Sequence, residues 1–369
     1  MNKIRVNLKE HSYDILIGTD ILAELGGIVE ANNWGKEIFL ITDPLVNDLY
    51  GDRVRKGFKG KLTLIETRRG ENNKTLSEAA RVFDLLVRHG AHRDSLIVAL
   101  GGGVVGDLAG FVAANYMRGI PYIQVPTTLL AQVDAAIGGK TAVNHPKGKN
   151  LIGAFYQPWL VFIDVKTLTS LPARELRTGL AEIVKYGMIK DAGFFKFLEE
   201  NAHHLNTKAF EKEDTLRAAL KLWQTIVAES AKIKAEVVEK DEKEAKLRMI
   251  LNFGHTFGHA IESLTHYRSY NHGEAVAIGM VAAALVAQKI GILEPNVTAR
   301  LSRLLDKLGL PSEIKNFQVA RLMAGINIDK KVLGGKVNFV LPEKLGKVVI
   351  RDNVPAQAVK KVLIELGAK

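Results

Sequence analysis

The sequence predicts an α/β chain in two parts, an N-terminal doubly wound, mostly parallel sheet followed by a mainly α-helical domain. Three observations lead there. The first half alternates short β-rich runs with helical stretches, the runs being Glu37 to Thr42, Lys61 to Thr67, Ser95 to Leu100, Tyr122 to Val125 and Leu160 to Asp164. Such alternation implies parallel strands joined by crossover helices. After Leu171-Pro172 the texture changes to long amphipathic or apolar helices, interrupted at Gly187, Gly193, Gly291 and Gly309-Leu310-Pro311. The length, 369 residues, also exceeds the comfortable size of one hydrophobic core.

At the start, Met1 to Gly18 alternates Ile4, Val6 and Leu8 with polar residues, so it reads as a strand and has no export-signal core. The boundary between the two parts falls within 165–178, giving domains of 1–172 and 173–369. Near the end, Val337 to Leu341 and Lys347 to Ile350 predict a small hairpin around Gly346, before a closing helix from Pro355. The longest apolar segment, Ala275 to Ala287, is too short for a bilayer, which takes about 20 residues. A soluble cytoplasmic protein with no membrane partner is expected. The chain has no cysteine, which excludes disulfides and thiolate metal sites.

A net charge of +11 admits a nucleic-acid partner, an anionic substrate or simple solubility. Basic residues cluster at Arg53 to Lys61 and Arg68 to Lys74, while Lys232 to Lys246 interleaves five acids and reads as a solvated helix face. No aromatic-basic platform accompanies them, so a small phosphorylated or carboxylated substrate is expected, with no nucleic acid.

Three of the ten histidines, His255, His259 and His272, fall in two short segments, Leu251 to Ala260 and Asn271 to Ala275. The first two, four residues apart, share one helix face, and the third opens the next apolar segment, so neutral imidazoles can converge on a cation such as zinc. The fitting carboxylate is Glu182, three residues before Lys185 in an otherwise apolar helical run; a charge there needs a partner. Two imidazoles and one carboxylate with an open position form the pattern of a catalytic metal.

Gly101-Gly102-Gly103-Val104-Val105-Gly106-Asp107 follows the third of the β-rich runs. Bare amides at the carboxyl edge of a parallel strand can approach a phosphate, aided by the positive end of the next helix. The cluster departs from the usual dinucleotide fingerprint, since it does not follow the first strand and no acid closes a strand about 20 positions later. Asp43 lies upstream instead. Gly70 to Lys74, Pro126 to Thr128 and Gly138 to Thr141 fall at loop positions on the same edge and bring the hydroxyls, amides and lysine that a pyrophosphate needs. A nicotinamide dinucleotide in a variant Rossmann-like fold is the expectation.

With these elements assembled, the chain resembles the 3-dehydroquinate synthase family of sugar-phosphate cyclases. The likeness runs through the glycine cluster, Tyr116 to Gly119, Pro126 to Leu130, Asp134 to Lys140, Gly148 to Gly153, Ala181 to Gly187, Leu251 to Ala260 and His272 to Val276. The glycine cluster is generic, shared with iron-dependent alcohol and glycerol dehydrogenases; Asn-Phe-Gly-His-Thr-x-Gly-His together with Glu-x-x-Lys-Tyr-Gly is specific to the cyclases. Ala135 and Ala136 stand where the family has serines.

The resemblance implies Glu182, His255 and His272 as ligands of one divalent metal, zinc or cobalt, and releases His259 for substrate contact or proton transfer. It implies substrate contacts at Arg118, Asp134, Lys140, Asn150, Lys185, Lys234, Arg248, Asn252 and His259, with one of Lys330 and Lys331. Among these, Lys140, Asn150, His259 and a lysine of that pair suit a phosphate, and Lys234 and Arg248 a carboxylate. NAD contacts are implied at Asp43, Glu71 and Lys74, along Gly103, Val104, Val105, Gly106 and Asp107, and at Thr127, Thr128, Lys140 and Lys149. A turn made of Thr167, Leu168, Thr169 and Ser170 completes them. The implied activity is the cyclisation of an anionic sugar-acid phosphate, 3-deoxy-D-arabino-heptulosonate 7-phosphate, to 3-dehydroquinate by a cytoplasmic homodimer, the second step of the shikimate route to chorismate. Three competing readings remain. A cyclase of a neutral sedoheptulose phosphate would need no substrate carboxylate, a polyol dehydrogenase would accumulate NADH, and an inactive nucleotide-binding regulator or a nucleic-acid binder would bind DNA or RNA with a steep salt dependence.

Overall fold

In this computed structural model, short aliphatic and β-branched runs form the strands, and in chain order these are β1 (Asn2–Val6), β2 (Tyr13–Gly18), β3 (Ile38–Thr42), β4 (Leu62–Glu66), β5 (Leu96–Gly101), β6 (Tyr122–Pro126), β7 (Lys140–His145), β8 (Gly148–Phe155), β9 (Leu160–Asp164), β10 (Phe339–Lys344) and β11 (Lys347–Arg351). The structure describes every residue except 61, 212, 266–268, 316 and 333–336, and the side chains of 327–332 also fall outside the described residues. Lys61, the expected start of the second run, therefore lies outside them.

Seven strands form one sheet in the order β1-β2-β9-β6-β5-β3-β4. All neighbours are parallel except β1 and β2. β3, β5, β6 and β9 are buried along their whole length, as strands covered on both faces must be. Alternate residues serve opposite faces. Phe39, Ile41, Ile97 and Ala99 join a core with helices Leu76–Arg88 and Gly103–Asn115, while Ile38, Leu40, Leu96 and Val98 join one with Leu25–Ala31. From β3 the chain moves outward to β4 and then crosses back to set β5 on the other side of β3, so the strand order reverses between β3 and β5. In open α/β sheets, ligands bind beyond the carboxyl ends at such a point.

Met1 to Gly18 forms two antiparallel strands, not the single strand expected, with Asn2 opposite Ile17 and Val6 opposite Tyr13. The reversal is made by the turn Lys9–His11, whose Lys9 has φ +56°. Lys140 and Thr141, expected in a loop, open the hairpin strand β7, which pairs with β8; the loop proper is Gly138-Gly139, both at positive φ.

Backbone proximity divides the chain into two compact units, Met1–Leu171 with Glu213–Glu242, and Pro172–Lys212 with Lys243–Lys369. Helix Glu213–Lys240, which the sequence reading sets in the second domain, thus groups with the sheet. Its stripe of Trp223, Ile226, Val227, Ser230, Ile233, Lys234, Val237 and Val238 is buried, the spacing of one helical face.

In the helical unit, helix Ala173–Ile189 runs straight through Gly187, where a break was expected. A Cβ at Gly187 would stand 3.0 Å from Phe195 Cα, so this glycine serves close packing of the next helix, Ala192–Asn201. Helices His255–Leu264, His272–Lys289, Pro295–Lys307, Val319–Val332 and Ala356–Glu365 follow, with the hairpin β10–β11 before the last. Among the described residues no helix is long and apolar enough to cross a membrane.

Candidate functional site

Glu182 is fully buried halfway along helix Ala173–Ile189. His255 opens helix His255–Leu264, and His272 is the first residue of helix His272–Lys289. The start of that last helix is fixed by a capping box, in which Asn271 Oδ1 accepts from the Glu274 amide at 2.9 Å and Glu274 Oε2 accepts from the Asn271 amide at 3.0 Å. Arg174, two turns before Glu182, donates to both carboxylate oxygens of Glu274 at 2.9 and 2.7 Å. Gly273 is the contact point of the two helices: a Cβ there would lie 2.4 Å from Thr178 Cα, so only glycine brings His272 this close to the helix of Glu182.

His272 Nε2 lies 3.3 Å and His255 Nε2 3.6 Å from Glu182 Oε1. One ligand atom from each of the three residues falls within 4.8 Å of the others. Donors on a tetrahedral zinc with bonds of about 2.05 Å stand about 3.4 Å apart, so this spacing fits an ion. The second ring nitrogens are anchored, His272 Nδ1 3.4 Å from Glu262 Oε2 and His255 Nδ1 3.2 Å from the Phe253 carbonyl, which fixes ring orientation as metal-bound histidines require.

Burial lowers the pKa of His255 to about 3, so the ring is neutral. With its Nδ1–H on Phe253 O, the Nε2 lone pair faces a carboxylate oxygen, an arrangement that a cation between them resolves. Burial also acts against charge on His272, but hydrogen bonds to Glu182 and Glu262 outweigh it and raise its pKa to about 10. Without metal, a proton on His272 supplies the positive charge that the site requires. Lys185, also buried, is ion-paired with Glu182 Oε2 and lies 5.2 Å from the centre of the Tyr186 ring.

The remaining residues expected in this unit differ in exposure. Arg248 is buried at 1% exposure in the turn Leu247–Asn252. Asn252 donates to Glu244 Oε1 at 3.2 Å. His259 is exposed, one turn beyond His255, with the two ring centres 5.4 Å apart. The side chains of Lys330 and Lys331 lie outside the described residues.

In the sheet unit, β3 ends at Thr42 and β5 at Gly101, on either side of the reversal in strand order. Gly102 caps helix Gly103–Asn115 without any side-chain bond, and the first amide to find a helical partner is that of Gly106, on Gly102 O. The amides of Gly103, Val104 and Val105 thus lie at the free, positive end of the helix. A Cβ on Gly102 would stand 3.0 Å from Thr128 Cγ2, which keeps backbone and threonine close together. Asp43, at the end of β3, caps the next turn through the Val46 amide at 3.2 Å and pairs with Arg69 at 3.3 Å.

Lys74 is buried and donates to Asp107 Oδ2 at 2.8 Å and Asn150 Oδ1 at 2.7 Å, with Glu71 Oε1 at 3.2 Å. Burial raises the pKa of Asp107, against the pull of Lys74. These contacts gather four of the expected residues, Glu71, Lys74, Asp107 and Asn150. Lys234 Nζ reaches Asp134 Oδ1 at 2.8 Å and also the Asp134 carbonyl. It faces inward, not into solvent as the charged run suggested.

Thr127 is buried and Thr128 half-buried; Lys140 is exposed and Lys149 half-buried. Arg118 is exposed at φ +70° beside Met117 at +48°, a strained pair before Gly119. In the Thr167–Ser170 turn the side chains divide. Leu168 is core, and the Thr167 hydroxyl donates to Asp164 O and accepts from Gln132, whereas Thr169 and Ser170 are exposed. Ala135 Cβ would stand 3.4 Å from a Cβ built on Gly103, so a small residue suits that position.

The sequence reading missed Glu262, Asn144 and Glu244, each of which holds an expected residue. Glu262 lies seven positions after His255 on one helical face, a spacing that could have revealed it. The partners of Asn144 are distant in sequence, and no local pattern points to them.

The family model described as 3-dehydroquinate synthase N-terminal matches residues 64–178, and that described as 3-dehydroquinate synthase C-terminal matches residues 179–332. A 3-dehydroquinate synthase of Rippkaea orientalis is 48% identical over 369 residues, covering 98% of this chain and 98% of the relative. A solved structure of 2-epi-5-epi-valiolone synthase from Streptomyces hygroscopicus subsp. jinggangensis, with NAD+ and Zn2+ bound, superposes with a TM-score of 0.87 at 29% identity, over 98% of each chain. A 2-deoxy-scyllo-inosose synthase complexed with carbaglucose-6-phosphate, NAD+ and Co2+ gives a TM-score of 0.86 at 28% identity, over 99% of each chain.

Proposed function

The chain belongs to the 3-dehydroquinate synthase family, and from that premise we propose the work done by its residues. Its reaction converts 3-deoxy-D-arabino-heptulosonate 7-phosphate to 3-dehydroquinate and phosphate, the second step of the shikimate pathway. Transient oxidation, phosphate elimination, re-reduction, ring opening and intramolecular aldol closure follow one another, which makes the enzyme a carbon-oxygen lyase. Family membership supports a cytoplasmic homodimer. When bound, NAD lends a reversible hydride acceptor, and a divalent ion, zinc or cobalt, polarises substrate oxygens.

Glu182, His255 and His272 hold the ion. The observation that carries this reading is the convergence of His255 Nε2 and His272 Nε2 on one oxygen of the buried Glu182 carboxylate, at 3.6 and 3.3 Å. Lys185 is ion-paired with Glu182 and offers an ammonium to a substrate hydroxyl. The amides of Gly103, Val104 and Val105 receive the dinucleotide pyrophosphate, flanked by Thr127, Thr128 and Lys149. Asp43, Glu71, Lys74 and the Thr167–Ser170 turn complete the NAD contacts of the sheet unit.

Within the sheet unit, Lys140, Asn150 and Arg118 suit the substrate phosphate, and Lys234, steered by Asp134, suits an oxyanion. Within the helical unit, His259 and a lysine of the Lys330-Lys331 pair serve the phosphate, while Arg248 and Asn252 read the carboxylate. The guanidinium of Arg248, a planar fork of donors held in a buried turn, matches the two oxygens of a carboxylate and so favours a sugar acid over a neutral heptulose phosphate. Steady-state kinetics with both substrates test this. The acid should be preferred by at least about a hundredfold in kcat/KM, and Arg248→Ala should erase most of that preference without loss of metal; equal use of both substrates would refute it.

A further inference from the structure

Four residues of the sheet unit close a ring of polar contacts. Lys74 Nζ donates to Asn150 Oδ1 at 2.7 Å, and the Asn150 amide donates to Asn144 Oδ1 at 2.9 Å. Asn144 Nδ2 then donates to Glu71 Oε1 at 2.7 Å, and that oxygen lies 3.2 Å from Lys74 Nζ. Three of the four already have a role above, and Asn144 does not.

Asn144 lies near the end of β7 and is fixed at its backbone, where its amide donates to the Lys74 carbonyl at 2.7 Å. Its carboxamide is used at both ends. The Nδ2 serves the carbonyl and the carboxylate of Glu71, at 3.1 and 2.7 Å, and the Oδ1 serves Asn150. Asn150 has φ +56°, a conformation that a non-glycine residue keeps only where its surroundings hold it. The bond from its amide to Asn144 is part of that hold, and Lys74 secures its side chain.

Resting on the reading that Glu71 contacts NAD and Asn150 contacts substrate, we propose that Asn144 is a positioning residue whose carboxamide sets both, its Nδ2 orienting Glu71 toward the cofactor and its Oδ1 holding Asn150 for the sugar phosphate. The two ends have separate effects. An aspartate at 144 keeps an oxygen for the Asn150 amide but turns the donor toward Glu71 into a second carboxylate oxygen, which repels it. An alanine removes both ends.

The test uses the full-length enzyme and reads the NAD dissociation constant by calorimetry and the KM for the sugar phosphate at saturating NAD. Asn144→Asp should raise the NAD dissociation constant at least about tenfold while KM changes less than about threefold, and Asn144→Ala should raise both about tenfold. Glu71→Ala and Asn150→Ala are measured alongside. An Asn144→Asp enzyme with unaltered NAD affinity, when Glu71→Ala weakens it, would overturn the proposal. Equal shifts of both constants in Asn144→Asp would also overturn it, since a general loosening of the fold moves them together. Normal NAD affinity in Glu71→Ala would remove the cofactor role of Glu71 and the proposal with it, by a result distinct from the other two.

Discussion

Lys234 Nζ donates to Asp134 Oδ1 at 2.8 Å, joining residues 100 positions apart within the sheet unit. Lys234 is 5% exposed, and Asp134 supplies a counter-charge to it. Lys234→Ala is predicted to cost about 2 kcal/mol of stability, the order expected when one partner of a largely buried pair is removed. It should also raise substrate KM more than tenfold, an approximate figure for a lost charge-assisted bond. Urea denaturation and steady-state kinetics check the two effects, and a variant changed in neither would remove both roles from Lys234.

Glu182→Gln keeps the shape of the side chain but removes the negative charge that faces both histidines. Turnover should fall by at least about a thousandfold together with bound metal, because a neutral amide is a poor ligand for a hard or borderline cation. NAD affinity should be nearly unchanged. Metal analysis and calorimetry read the two quantities separately, and near-normal activity would strike Glu182 from the ligand set.

Glu262→Gln leaves all three proposed ligands intact and weakens the anchor on His272 Nδ1. Metal affinity is expected to drop about 10- to 100-fold, as for other outer-shell partners of metal-bound histidine. Competition with a chromophoric chelator measures it without recourse to activity, and unaltered affinity would show that the contact does not orient the ring.

His272 carries the pH prediction. Its pKa is about 10 in the metal-free fold against about 6.5 for an unfolded histidine. Its protonated form therefore adds stability that is fully present below about pH 6.5 and is lost as the pH rises through about 10. A metal must displace that proton, so within this window binding should release about one proton and apparent affinity should rise about tenfold per pH unit. His255, at about 3, has no proton to give up there. Chelator titrations at several pH values across the window give the slope, and a flat profile would contradict the assignment.

Local patterns in the chain carried much of this structure and failed at identifiable places. The parallel strands were legible because β3, β5, β6 and β9 are continuous apolar runs covered on both faces. The grouping of histidines around Glu182 was legible because rare ligand types stand in apolar helical segments, whereas the choice of His255 over His259 came from the family resemblance. Helix Glu213–Lys240 was misplaced because its charges hide a buried stripe, and the domain to which a stripe belongs is settled by tertiary contacts. Gly187 looked like a break because a glycine at a helix crossing and a glycine at a helix end are alike in sequence, and only the approach of Phe195 separates them. Asn144 stayed invisible for a similar reason, as its meaning lies in partners brought together by the hairpin β7–β8.

The proposed reaction is a redox-neutral, phosphate-eliminating cyclisation that needs both NAD and a metal. Phosphate release from 3-deoxy-D-arabino-heptulosonate 7-phosphate by purified protein, with each cofactor present or withheld and absorbance reporting NADH, tests it most directly. Phosphate release that requires both, with no net NADH, is the predicted result. Sustained accumulation of NADH, or no phosphate release when metal and NAD are both bound, would contradict it.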